Sequence, residues 1–194
     1  MADMMIPTIN SPSAIRWTRE DCARLEEAGF LNYRYELIEG VINKIGRKMP
    51  HAVVVAILLD WLFEIFGSSF VVTQASINVS PEDNPTSEPL PDAIVLSRPG
   101  GEFLNYPQPE DIRLLIEVSD TTLRYDLKTK SRLYARSGIA EYWVVDLNGR
   151  SVHVHRQPEN GIYAEISKHE ADETISTLSN PVAILAVSRL FPKD

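Results

Sequence analysis

The stretch LLIEVSD, residues 114–120, decides how this chain is read. Leu114, Leu115, Ile116 and Val118 read as a buried strand. Glu117 stands in their midst. An ionised carboxylate in such a place costs several kcal/mol unless a partner compensates it. The question is what Glu117 faces.

Working outward, DAIVLS (92–97) is a second short apolar strand, opened by Asp92 directly after a proline. Two long loops flank it, PEDNPTSEPLP (81–91) and RPGGEFLNYPQPED (98–111). Loops of this length in a compact domain carry function or are disordered. After Glu117 comes a helix from about Tyr125 to Ser137, stopped by Gly138. EYWVVDL (141–147) is the next strand, Asn148-Gly149 a hairpin turn, and SVHVHR (151–156) its return. GIYAEI (161–166) adds a further strand. The last 25 or so residues give no clear periodicity.

Upstream, WTREDCARLEEAG (17–29) reads as a helix with Thr18 as N-cap, Asp21 completing a capping box and Gly29 ending it. YRYELIEGVINKIG (33–46) reads as a hairpin turning near Gly40. Pro50 starts a helix that runs to Phe66 and stops at Gly67. That helix is apolar on most of its circumference and is expected to be buried. FVVTQASINVS (70–80) reads as a strand. Residues 1–13 read as a loose tail ahead of a single domain over 14–194. Strands alternate with helices in the middle and pair antiparallel at the ends, which predicts an α/β domain built on one mixed sheet.

Composition sets the wider bounds. Apolar residues make up 44% and charged residues 24%, with a single cysteine, so no internal disulfide forms and a reducing, cytoplasmic setting is expected. The N-terminus shows no basic start followed by an apolar run, so it does not read as a signal peptide. The run AVVVAILL (52–59) is interrupted by Asp60 and Glu64 and is too short for a membrane span, so no membrane partner is expected. The net charge of −8 counts against tight nonspecific DNA binding, although a local basic patch survives such a balance. It also suits a carboxylate-rich site that takes a metal ion.

Three residues converge on chemistry. Asp92 opens one strand, Glu117 lies within the next, and Lys130 shares the helix stripe of Leu127, Leu133 and Tyr134 that faces the sheet. Each has a plain alternative: a loop or turn aspartate, a buried glutamate bonded to backbone or to an arginine, a stripe-edge lysine whose head reaches water. Together, two carboxylates suit Mg²⁺ or Mn²⁺, and a nearby lysine positions water or holds a phosphate. His153 and His155 share a strand face but lack a third ligand at metal-site spacing, and are expected to be exposed. Tyr142 and Trp143 are expected in the core.

PDAIVL, followed by LLIEVSDTTLRYDLKTKSRLYARSGIAEYWVVD, resembles the Uma-two family of restriction-endonuclease-like proteins, within the PD-(D/E)XK nuclease superfamily. YELIEG (35–40) and His51 ahead of its apolar helix resemble the same pattern, and the likeness spans roughly residues 15–190. The resemblance implies a restriction-endonuclease-like core, a mixed β-sheet flanked by helices. It makes Asp92 and Glu117 the motif acids, with the Val118 carbonyl as a further metal ligand. The superfamily's lysine stands two residues after the glutamate, where this chain has Ser119; Lys130 on the next helix takes its place. Glu36 would be an additional acid near the metal, or an exposed hairpin carboxylate. His51 would touch a phosphate or cap its helix. Asp126 would pair with Lys130 or serve as a helix N-terminal acid. The implied activity is Mg²⁺- or Mn²⁺-dependent hydrolysis of DNA, with a homodimer supplying two sites for two strands. The competing expectations are a non-catalytic nucleic-acid- or protein-binding member of the same fold, and a phosphodiesterase acting on RNA or nucleotides.

Overall fold

The computed structural model describes residues 15–46 and 48–191. The loose tail expected over 1–13 lies outside the described residues. The chain opens with α1 (Arg19–Glu27), where Thr18 and Asp21 form the reciprocal capping box expected of them. β1 (Tyr35–Ile38) and β2 (Val41–Lys44) make a separate two-stranded hairpin. It is tied to the rest through Leu37, whose N–H and C=O both bond Glu88.

α2 (Met49–Phe66) follows, then β3 (Val71–Val72), β4 (Ala93–Leu96) and β5 (Ile112–Ser119). A helical crossover comes next, made of α3 (Leu123–Tyr125), a π turn (Asp126–Lys130) and α4 (Ser131–Arg136). β6 (Glu141–Asp146), β7 (Ser151–Glu159) and β8 (Ile162–His169) complete a six-stranded sheet in the order β3-β4-β5-β6-β7-β8. Only β5 and β6 run parallel, because only they are joined by a helix rather than by a turn or loop returning alongside. The C-terminal stretch with no clear periodicity forms a second hairpin, β9 (Thr174–Thr177) with β10 (Asn180–Ala186).

The sheet is covered on both faces, and the two-residue period of the strands sorts side chains between them. Leu114, Ile116 and Val118 of β5 pack with Val54, Leu58, Trp61 and Leu62 of α2, where Trp61 stacks on Trp143 with ring centroids 6.1 Å apart. Leu115 of β5, with Ile94, Tyr142 and Val144, packs under Leu133 and Tyr134 of α4. Glu117 has the parity of Leu115, so it points to the α4 face.

Three expectations need correction. α2 is only half a core helix: Met49, Val53 and Phe63 are exposed, and 28% of the helix is buried. By length and composition alone it would suffice to cross a membrane, yet its inner stripe is bound into the sheet. The strand expected over 70–80 contracts to Val71–Val72. Gln74 adopts φ +60, which breaks the ladder, and the chain beyond is held singly, by Ile77 N–H to Pro89 O and Asn78 N–H to Pro107 O. His155 is buried, at 1% exposure, in a ring of Tyr142 and Tyr163, and His153 is half-buried. A two-residue alternation places both histidines on one face, where Tyr142 and Tyr163 enclose His155 and His153 stands opposite Lys168 of β8. Tyr142 and Trp143 are fully buried, as expected.

Candidate active site

β4 and β5 run antiparallel with Ala93 opposite Ile116. The next rung of that register sets Asp92 opposite Glu117. The ladder ends there: Asp92 N–H bonds Ile116 O, and the Val118 N–H, one step past the last β4 residue, donates to Asp92 Oδ2 at 2.9 Å. Thr73 Oγ1 donates to the Asp92 carbonyl at 2.7 Å. From the first turn of α2, His51 Nε2 lies 3.1 Å from the same Oδ2. His51 Nδ1 is buried without a hydrogen-bond partner.

The crossover helix delivers the cation. Lys130, at 5% exposure, places Nζ 2.9 Å from Glu117 Oε1, 2.8 Å from Glu36 Oε2 and 3.7 Å from Asp126 Oδ1. Tyr134, one helical turn further on, donates its hydroxyl to Glu117 Oε1 at 3.0 Å. Asp126 Oδ2 accepts from Ser119 Oγ at 2.6 Å and Thr122 Oγ1 at 2.7 Å. Lys130 and Asp126 both lie in the π turn, whose wider ring is a recurrent feature of functional helices. Glu36 arrives from β1, outside the main sheet, and is buried rather than an exposed hairpin carboxylate.

All seven residues singled out in the sequence, Glu36, His51, Asp92, Glu117, Val118, Asp126 and Lys130, line one cleft of about 670 Å³. Tyr134 was legible only as an apolar stripe residue; its hydroxyl contact with Glu117 left no signal. Thr122 gave none either. Lys48 at the rim pairs with Asp120 at 2.8 Å.

Three carboxylates, Glu36, Glu117 and Asp126, surround the Lys130 ammonium, and Asp92 stands beside His51 in the same cleft, so the cluster is over-acidic. Burial drives the Glu117 carboxyl well above the usual range; Lys130 opposes this, while Asp126, Glu36 and Asp92 reinforce it. Burial would lower Lys130, but Glu117 and Glu36 outweigh it and hold its pKa well above the ordinary lysine value. Lys130 is therefore a fixed cation and hydrogen-bond donor, not a base.

The donor chemistry suits a hard divalent ion: paired carboxylates at a strand end, beside the main chain at Val118, which pairs with β6 but has no ladder partner in β4. Among the described residues no three His, Cys, Asp or Glu side chains are grouped to hold a metal. A third protein ligand would then have to come from the main chain, and Val118 lines the same cleft. The excess negative charge gives such an ion its electrostatic reason.

A family described as "Uma2: Putative restriction endonuclease" matches residues 20–187. The chain belongs to the Uma2 family. A crystal structure described as "a putative nuclease belonging to DUF820", from Anabaena variabilis, is similar to this Uma2 chain with a TM-score of 0.62. It shares 16% identity and covers 86% of this chain and 96% of that one. At that identity the likeness shows the fold, and the fold is restriction-endonuclease-like. No curated protein matches this Uma2 chain.

Proposed function

We propose that this protein is a Mg²⁺- or Mn²⁺-dependent nuclease that hydrolyses DNA phosphodiester bonds. The observation that carries this reading is the opposition of Asp92 and Glu117 across the last rung of β4 and β5, with Lys130 bonded to Glu117 in the same cleft. Asp92, Glu117 and the Val118 carbonyl would hold the ion. Such an ion lowers the pKa of bound water and neutralises charge on the phosphate.

The chain's own residues supply orientation. The Val118 N–H and His51 fix the Asp92 carboxylate from two sides. Tyr134 and Lys130 both hold Glu117 Oε1, which leaves the other oxygen of that carboxylate to turn toward the cleft. Lys130, kept charged by its neighbours, stabilises negative charge building on a phosphate in a poorly solvated site. Asp126 is braced by Ser119 and Thr122, and helps keep the ammonium in place. The four carboxylates alone would repel a polyanion, which is the electrostatic case for an ion between them and the substrate.

The test is incubation of the purified full chain with supercoiled plasmid, single-stranded DNA and RNA, each with Mn²⁺, with Mg²⁺ and with chelator. DNA should be cut only with a divalent ion, and Asp92→Ala should not cut. Equal cutting by Asp92→Ala, or cutting in chelator, overturns the assignment. Cutting of RNA alone changes the substrate. Binding without cutting leaves a nucleic-acid-binding protein on the nuclease fold.

A further inference from the structure

Arg124, Lys128 and Arg132 recur every fourth residue along the helix that carries Lys130, and all three are exposed. Two residues separate them from the cleft-facing Asp126 and Lys130, so they form the opposite, outer ridge of that helix. None makes an ion pair or side-chain hydrogen bond among the described residues, whereas Arg136, the next in the series, is paired with Asp83 and Glu39. Like charges four apart on a helix destabilise it. Here the repulsion stands without intramolecular relief, in a chain whose net charge is −8. A solvated face in so acidic a protein would draw acids toward it, and this one has none.

The ridge begins at the cleft. Thr122 and Tyr125, on either side of Arg124, both line the opening. A regular helix rises about 1.5 Å per residue and the π turn rises less, so the three cations span at most about 12 Å. One strand of duplex DNA carries a phosphate every ~3.4 Å of axis, so that length faces three to four phosphates.

We infer that Arg124, Lys128 and Arg132 form a phosphate-binding ridge that grips the sugar-phosphate backbone of nucleic acid running out of the cleft along the outside of the crossover helix. This rests on the nuclease reading and adds the footprint: the substrate extends beyond the bond that is cut. The ridge reads charge and not sequence, since contacts to phosphates position a nucleic acid without specifying it. The local cations also answer the objection that the acidic whole raises, because the substrate meets the ridge before it meets the carboxylates.

The test uses the full chain carrying Asp92→Asn, so that binding is measured without cleavage, and compares it with the same chain carrying Arg124→Gln, Lys128→Gln and Arg132→Gln. Probes are fluorescent duplex DNA, single-stranded DNA and single-stranded RNA, each in a form long enough to pass both cleft and helix and in a form that fills the cleft alone. On the long duplex the triple substitution should weaken binding and lower the slope of log affinity against log salt by about 0.9 per lost contact, about 2.7 in all. Between 50 and 200 mM salt the unsubstituted ridge should then lose about fortyfold more affinity than the substituted one, from the same slope. The short probes should bind both chains alike, and the type of long probe most affected identifies the backbone gripped. Thermal melts check folding, and removing like charges should leave the melting temperature level or raised. An unchanged slope on every long probe overturns the ridge even if the wild-type chain cuts DNA. A lost slope in a protein that never cuts keeps the ridge and overturns the nuclease. Failure of all probes to bind overturns both.

Discussion

Glu117 and Glu141 are buried glutamates on neighbouring parallel strands, each beside a cation, yet they do opposite things. Glu141 is fully buried and saturated. Its Oε1 accepts from Arg156 Nε at 2.9 Å, Arg156 Nη2 at 2.6 Å and Trp143 Nε1 at 3.0 Å, and its Oε2 accepts from Leu178 N–H at 2.7 Å. One acid meets one cation, and the pair ties β6 and β7 to the chain just after β9. Glu117 shares its lysine with Glu36 and Asp126, faces Asp92 and lines a cleft. Burial of charge therefore does not mark a site. Imbalance of charge at an open strand end is what distinguishes the proposed site.

The largest expected effect falls on the balanced pair. Glu141→Gln leaves the Arg156 guanidinium, 21% exposed, facing a neutral amide, and losing one charge of a buried pair costs up to about 3–5 kcal/mol. At about 2–4 °C per kcal/mol, urea and thermal melts should show a drop of roughly 6–20 °C. Glu117→Gln relieves a like-charge cluster and should destabilise far less. If the two variants melt together, the distinction between balanced and imbalanced charge breaks.

Activity should reverse that order. Glu117→Gln should slow DNA cleavage by about 100- to 1,000-fold, the range for losing one preorganised electrostatic group, about 2.7–4 kcal/mol. Glu141→Gln, measured at a temperature where it is folded, should cut at the wild-type rate. A comparable loss of rate in Glu141→Gln would make the Arg156 pair part of the site.

His155, on the same face of the sheet as Glu117 but enclosed by Tyr142 and Tyr163, sharpens the comparison. Burial, with His153 adding to it, pushes its pKa down to about 4, against about 6.5 in an unfolded chain. The folded state thus disfavours the proton, so its stability is whole above pH 6.5 and falls as the pH drops toward 4. The loss from this group should reach about 3 kcal/mol by pH 4. His155→Phe should lose less stability than wild type over that window in urea titrations. Equal acid sensitivity of the two would assign the loss elsewhere.

The smallest effect is that of the ion. A divalent cation binding only the native state should add about 2.7 kcal/mol at a hundredfold excess over its Kd. That is a rise in melting temperature of roughly 5–11 °C. Asp92→Asn should gain much less, while Glu141→Gln should gain as much as wild type. If Asp92→Asn melts well below wild type in chelator, Asp92 is a structural cap and not a metal ligand.

What the sequence disclosed follows from this contrast. Glu117 stood out because an acid in an apolar strand breaks a pattern. Glu141 opens its strand beside a loop, where an acid breaks nothing, and so its burial could not be read. Lys130 was legible through the apolar neighbours at three and four residues, and Asp92 through its place at the head of a strand. The strand expected over 70–80 failed because periodicity does not register the positive φ of Gln74. Ser119 was legible only as a secondary polar contact beside Glu117, and the hydroxyls of Tyr134 and Thr122 were invisible as partners, because a hydroxyl's hydrogen bond leaves no spacing to read.

The π turn at Asp126–Lys130 gives the site a dependence on the length of the chain as well as on its chemistry. A wider turn takes up more residues than a regular one, so it works like a spacer inserted in a ruler. Deleting a single residue among Leu127, Lys128 and Thr129 would let the helix close into regular turns with no breach of the fold. Its two ends would then be out of phase. Either Asp126 would leave the hydroxyls of Ser119 and Thr122, or Lys130 would leave Glu117. Such a deletion would disconnect the Lys130 ammonium from its carboxylates while every other residue of the cleft is still present.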